Sequence, residues 1–379
     1  MKSLIPILFC LLVLFSTTGA FARIIGVPGD SPTIQAGIDA STPGDTVLVQ
    51  PGHYLETIDF KGKDIVLGSL FITTQDTSSI SRTIIDGNKN GTVVKFKTGE
   101  TEEAELCGFT VTGGDVKWAE DGIRYESLGS GIRCNHASPR LHHLRITGNS
   151  AYMNGGGIHC EFSNSAIDHV VIDNNRSQGA GGIYIAKGNH KISCSIIKDN
   201  SLSGIVVTEN SMVSCNSLLL LHNSQEALAS GISSVDIINC TITGHDDDAF
   251  FISESNVNVI NSVFWNDYRE IYIYDGQQGF PISRVTVAFS DFKGGKDRIK
   301  FAYKDQLLFK EGNIDKYPDF NSDYTLNLMS PCIDAGTPFY QVNDSTIVDL
   351  NKNEYHGIAP DMGAFESGYT QTEDRKSVV

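Results

Sequence analysis

Positive charge is scarce in this chain: 29 lysines and arginines face 45 aspartates and glutamates, a net charge of −16 over 379 residues. That balance disfavours nucleic acid and anionic membrane as partners. It also disfavours an acidic polysaccharide unless a cation bridges the two. Long apolar runs are equally scarce. Beyond the first residues nothing approaches the roughly 18 apolar positions a membrane span needs, so no span is expected. The cysteines cannot all pair. Of eight, Cys10 lies in the leader described next, and the remaining number is odd. Their spacing follows a repeat, which predicts small core side chains rather than a disulfide framework, with Cys134–Cys160 as a bridge the spacing would allow. There is no cofactor fingerprint and no strong catalytic motif.

The chain opens MKSLIPILFCLLVLFSTTGAFAR, with one lysine, an apolar stretch from Leu4 to Phe15, and small residues ending in Ala20-Phe21-Ala22. This charged, apolar and small-residue order predicts a secretory signal peptide over 1–22, and with it a secreted, extracellular or cell-surface protein. The polar tail TQTEDRKSVV resembles no membrane anchor.

Self-similarity organises most of the rest. RITGNS, VIDNNR, IIKDNS, LLLHNS, TITGHD and VFWNDY align on Asn149, Asn175, Asn200, Asn223, His245 and Asp267, 22 to 26 residues apart. An earlier copy, FTVTGG, precedes an insertion beginning DVKWAEDG. A second column runs through Ile132, Ile158, Ile183, Ile205, Leu228, Phe250 and Ile271, and a third through Leu141, Ile167, Ile192, Ile237 and Val259, with one irregularity near Val213. Three short apolar strands per turn, joined by Gly, Asn, Asp and Ser, predict an all-β, right-handed parallel β-helix. No single coil buries enough to stand alone, so the ends need covers. SPTIQAGIDAS (31–41), with a Ser N-cap, Pro at the first helical position and Ile34 and Ile38 four apart, predicts a capping helix. The domain reading is an N-terminal cap and first coils over 23–105, β-helix repeats over 106–292, and a C-terminal module with its tail over 293–379.

TIQAGIDASTPGDTVLVQPGHY and GTVVKF resemble the entry into the pectin-lyase-like right-handed parallel β-helix proteins of bacterial surfaces. GNIDKYPDFNSDYTLNLMSPCIDAG and DLNKNEYHGIAPDMGAFES resemble the C-terminal module called choice-of-anchor Q. The resemblance covers nearly all of the chain past the leader. It is specific for architecture and poorly specific for activity. The sorting segment that commonly follows GAFE is missing, which bears on surface attachment.

GHDDDAFFIS, residues 244–253, raises the sharpest chemical question. Two residues before each second-column position stand Ser130, Gly156, Gly181, Ser203, Glu226, Asp248 and Arg269, which places Asp248 in a turn between a like and an opposite charge. Asp246 and Asp247 share that turn, where such residues bond their own backbone. A functional reading gives Asp246, Asp247 and Asp267, with Glu270, to Ca²⁺, or gives Asp246, Asp247 and Asp248 to a glycosidase. The turn reading is favoured. DDAFFI with RIK at 298–300 faintly resembles polygalacturonases, but their intervening Gly-His-Gly is absent.

Alternation along the second strand turns Cys134, Cys160, Ile185, Val207, Ser230, Ile252 and Ile273 inward, hence their neighbours outward. Two outward patches follow as candidate substrate contacts: Arg133, His159, Glu161 and Tyr184, and Phe251, Tyr272 and Tyr274. Aromatics in a row on a rigid sheet suit sugar stacking. They also suit burial under the C-terminal module. His143 and His169 share a column with Cys194, Asn239 and Asn261 and read as stacked polar core residues. The expected function is binding of an extracellular polysaccharide or cell-surface glycan along one face, by a monomer. The alternatives are a polysaccharide lyase or glycoside hydrolase, with Arg133 or Arg269 as base and Ca²⁺ as cofactor, and an adhesive spacer without either.

Overall fold

The computed structural model describes residues 22–117, 128–274 and 282–370. The expected leader, apart from Ala22, lies outside these, as do most of the insertion after Val116 and the tail from 371.

The chain enters through a short strand, Ile24–Val27, and the helix Ile34–Ala40. Ile34 and Ile38 are buried against the first coil, as their spacing predicts. The cap differs from expectation: the helix begins two residues later than Pro32, and Thr33 supplies the cap, its Oγ1 accepting from Ala36 N at 3.1 Å. The helix covers the first turn of a right-handed parallel β-helix. Each turn adds one strand to a ten-stranded parallel sheet that runs from Ile58–Asp59 to Ile299–Lys300. The other strands of each turn join a twenty-stranded sheet on the opposite flank.

The second column is a continuous ladder: Ile132, Ile158, Ile183, Ile205, Leu228, Phe250 and Ile271 pair in register, extended by Val94 before and Ile299 after. The irregularity in the third column resolves as Cys215, which stands between Ile192 and Ile237. The ladder also runs past Lys293: Leu307–Phe309 pairs with the strand Arg284–Ala288.

The asparagine column is a stack of side-chain amides inside the turn. Asn149 Nδ2 donates to Asn175 Oδ1 at 3.0 Å, Asn175 to Asn200 at 3.1 Å, and Asn200 to Asn223 at 3.1 Å. Each amide also donates to a main-chain carbonyl of the preceding turn. Buried amides need such partners, and a parallel stack at strand spacing supplies them. One assignment is corrected here. After His245 the column continues at Asn266, which accepts from His245 N at 3.2 Å, and not at Asp267. Glu270, fully buried, ends the stack by accepting from Asn266 N and Nδ2 at 2.8 and 2.7 Å.

Cys134 and Cys160 are register partners with free, buried thiols, and Cys194 is the exposed cysteine among the described residues. The C-terminal segment packs along the outer flank of the twenty-stranded sheet. Leu326, Cys332, Ile333 and Met362 cover Val263, Val348 covers Ile238 and Ile260, and Ala364 covers Leu219 and Leu221.

Candidate functional site: the open face of the ten-stranded sheet

Because the described part of the C-terminal segment lies on the other flank, it leaves the outward side chains of the ten-stranded sheet uncovered. Strand register sets those side chains in rows. One row runs Lys95, Arg133, His159, Tyr184, Val206, Ala229, Phe251, Tyr272, Lys300. From Lys95 to Tyr272 is seven ladder steps, about 34 Å at strand spacing. Between the ends the floor is small: Val206, Thr208, Ala229 and Gly231.

At the C-terminal end, Phe251, Tyr272 and Tyr274 form one cluster. Phe251 and Tyr274 are inclined by 26° with centroids 6.1 Å apart, and Tyr272 meets both edge-on. Tyr274 is 45% exposed. Tyr272 is not an open platform: the Arg269 guanidinium and the Lys300 ammonium each stand 4.6 Å from its ring centroid. Tyr274 is therefore the open ring of the cluster, backed by the half-buried Phe251 and with two cations nearby.

At the N-terminal end, Lys95, Lys97, Lys117 and Arg133 line a cavity of about 400 Å³ with Asp115 and Thr92. Lys97 lies 2.9 Å from Asp59 and Lys117 3.8 Å from Asp115. Cations outnumber acids here although the chain as a whole is strongly acidic. The three lysines stand outside the aligned repeats, Lys95 and Lys97 ahead of them and Lys117 in the insertion after FTVTGG; only the alternation in VVKFK marks Lys95 as outward.

His159 departs from expectation. It sits on the outward row yet is 1% exposed, stacked on Tyr184 at 5.2 Å and 12°. Burial and the nearby Arg133 charge push its pKa down to about 3, so the ring is neutral near pH 7 and does not serve there as an imidazolium acid. Tyr184 is pushed up to about 12, mainly by burial. Glu161 is an ion-pair partner: Lys187 bridges it, at 3.1 Å, to Glu209, at 2.8 Å.

The three aspartates take separate roles. Asp247 Oδ1 accepts from Asp248 N at 2.9 Å, a local turn bond. Asp248 is buried and held by Arg269 through two bonds, 2.5 and 3.0 Å. Burial raises its pKa against the pull of that guanidinium. Asp246 is exposed. Asp267 is also exposed and paired with Lys293 at 2.5 Å. None of the four belongs to a group of three metal-binding side chains with donor atoms within 4.8 Å of one another among the described residues. Two such groups lie elsewhere: Cys107, His142 and His143, and Asp168, His169 and Cys194. The histidine column is stacked as expected, His143 on His169 at 4.8 Å and 3°. It is not core, however, since His169 and Cys194 are exposed at a corner of the coil.

No curated protein matches this chain. Among solved structures it is similar to the pectate lyase Pel9A, at 16% identity over 92% of this chain and 97% of that one, TM-score 0.47. It is also similar to the A-module of the Azotobacter vinelandii mannuronan C-5 epimerase AlgE4, at 12% identity over 69% and 83%, TM-score 0.42. A third is the alginate lyase AlyGC of family PL6, at 11% identity over 92% and 59%, TM-score 0.38. Residues 143–161 match the Chlamydia polymorphic membrane protein repeat. Residues 153–314 match the family model described as right handed beta helix region, in agreement with the ladders above, which make the chain a right-handed parallel β-helix.

Proposed function

We propose that the protein is secreted and binds an extracellular polysaccharide along the open face of the ten-stranded sheet. The observation that carries this reading is the pairing, on a face left uncovered by the described residues of the C-terminal segment, of the exposed Tyr274 ring with a cation-rich cavity that runs from Arg133, about 29 Å away, to Lys95, about 34 Å away. Aromatic rings receive the apolar faces of sugar rings. Lys95, Lys97 and Arg133 receive carboxylates or sulfates. The ligand is therefore a linear glycan with acidic groups, drawn in by local charge against the overall negative field.

The test is retention of the purified protein on immobilised pectate, alginate, chondroitin and neutral plant glycans, with and without Ca²⁺. Salt-sensitive retention on an acidic glycan is expected. Phe251→Ala with Tyr274→Ala, or Lys95→Ala with Arg133→Ala, should weaken it by about tenfold or more, equivalent to about 1.4 kcal/mol. Binding that is absent across the panel, or unchanged in both variants, overturns the proposal.

The cavity also favours a catalytic reading. A uronate seated among Lys95, Lys97 and Arg133 has its carboxylate neutralised and a basic side chain near its α-proton, which is what eliminative cleavage requires. Unsaturated-product absorbance in the same incubations separates a lyase from a binder.

A further inference from the structure

A second chemistry lies on a corner of the coil, away from the glycan face. Strands Glu105–Cys107, Arg140–Thr147, Ala166–Asp173 and Asn189–Ser193 stack in successive turns, with Cys107, His142, Asp168 and Ser193 in register. Directly after this row the chain turns through the left-handed region at His143, His169 and Cys194, with φ of 51°, 50° and 47°. Later turns meet the same requirement with Ser217, Asn239, Asn261 and Phe289, side chains of quite different chemistry. The corner geometry therefore does not call for a thiol beside an imidazole and a carboxylate.

In two adjoining turns those donors converge. The Asp168 carboxylate, His169 Nδ1 and Cys194 Sγ lie within 4.8 Å of one another, open to solvent. Asp168 Oδ2 is 2.6 Å from His169 Nδ1, and its other oxygen accepts from Ser193 Oγ at 2.7 Å. The His143 ring, stacked face to face on His169, restrains that imidazole from behind.

We propose that Asp168, His169 and Cys194 bind one zinc-class divalent cation, with a fourth position left to water. The mixed sulfur, nitrogen and oxygen donor set fits Zn²⁺ or Co²⁺ and not the all-oxygen demand of Ca²⁺ or Mg²⁺. Tetrahedral ligation at about 2.0 Å sets neighbouring N and O donors about 3.3 Å apart, so the Asp168–His169 contact opens slightly as the ion replaces the proton between them. His169 then binds through Nδ1 as its other tautomer, and the Cys194 thiol gives its proton to solvent. Ser193 and His143 are positioning residues that hold the carboxylate and the ring. The site joins two turns of the solenoid through side chains alone.

The experiment is a Co²⁺ titration of the purified full chain in reducing, chelator-free buffer, following thiolate-to-cobalt charge-transfer absorbance. One saturable equivalent is expected, displaced by Zn²⁺ but not by Ca²⁺. Cys194→Ser should abolish the band, His169→Gln and Asp168→Asn should weaken binding at least tenfold, and Ser193→Ala should weaken it about tenfold. Cys107→Ser should leave the band intact. As a second readout, Zn²⁺ should slow alkylation of Cys194, the exposed thiol, in the unaltered protein. The proposal is overturned by the absence of a band, by a band that survives Cys194→Ser, or by one lost in Cys107→Ser, which would give the ion to Cys107, His142 and His143. Circular dichroism of each variant excludes loss of fold as the cause, and an unaltered alkylation rate under Zn²⁺ overturns the proposal without any variant.

Discussion

Asn200 occupies the middle of the amide stack, and its replacement tests whether the stack holds adjacent turns together. Its side chain makes four hydrogen bonds: Nδ2 donates to Ile172 O at 2.9 Å and to Asn223 Oδ1 at 3.1 Å, and Oδ1 accepts from Asn175 N at 3.0 Å and Asn175 Nδ2 at 3.1 Å. The residue is 1% exposed, so water does not replace a lost partner. At roughly 1 kcal/mol net per bond, Asn200→Ala should destabilise the fold by about 4 kcal/mol, plus the cost of the small void. Asn200→Asp separates the two contributions because it keeps the volume. It retains both acceptor bonds but points a carboxylate oxygen at Ile172 O and at Asn223 Oδ1, so it should cost at least as much near pH 7. Urea unfolding of the two variants beside Asn174→Ala, an exposed neighbour outside the stack, reads the difference directly. An Asn200→Asp protein within 1 kcal/mol of the unaltered one would refute the reasoning, since the void alone would then explain the Ala result.

Stability should also depend on pH in an uncommon direction. Burial pushes Glu270 and Asp291 up to about 7, so both hold protons in the folded chain where the unfolded chain has already lost them. Their contribution is fully present below about pH 4, declines as pH rises toward 7, and amounts at most to about 3 kcal/mol for Glu270 and about 4 kcal/mol for Asp291. The denaturation midpoint of the unaltered protein should fall between pH 5 and 7.5, and the double variant Glu270→Gln, Asp291→Asn should flatten that slope; equal slopes would remove these two groups as its cause. Gly182→Ala would set a methyl 2.2 Å from Gly204 O, so a loss of about 2 kcal/mol in thermal or urea unfolding is expected. His159→Phe removes a neutral, buried ring, so glycan retention should show the same pH profile between 6 and 8 with or without it.

The columns were legible because they recur: a parallel stack repeats its inward residues at each turn, and Ile132 to Ile271 could be aligned without knowing where the strands ended. Single-residue detail was less so. VFWNDY aligns equally well on Asn or Asp, and only the side-chain geometry shows that Asn266 joins the amide stack while Asp267 faces solvent. Alternation correctly turned His159 away from the core, but outward did not mean exposed, because Arg133, Tyr184 and the glycine turn at Gly155 close over it. The cationic cavity draws on Lys95 and Lys117 from separate turns before the aligned copies, and the corner cluster on residues 107, 142, 168 and 194, which no local motif unites. Such sites arise from the coil period itself, which brings together residues a full turn apart.

A stack whose turns touch only their immediate neighbours loses turns one at a time, each opening governed by its own interfaces. The C-terminal segment changes that for half of this molecule. Through Thr337 on Asn261 and Ala364 on Thr241 it makes contacts spanning 76 and 123 residues, giving turns that are not neighbours a common partner. Amide exchange should therefore divide the solenoid into two cooperative blocks. Turns from Leu219 onward should open together and slowly, while earlier turns, on which the described residues of that strap do not dock, should exchange progressively. Folding has a matching order, since the strap has no surface to dock on until the flank beneath it has formed.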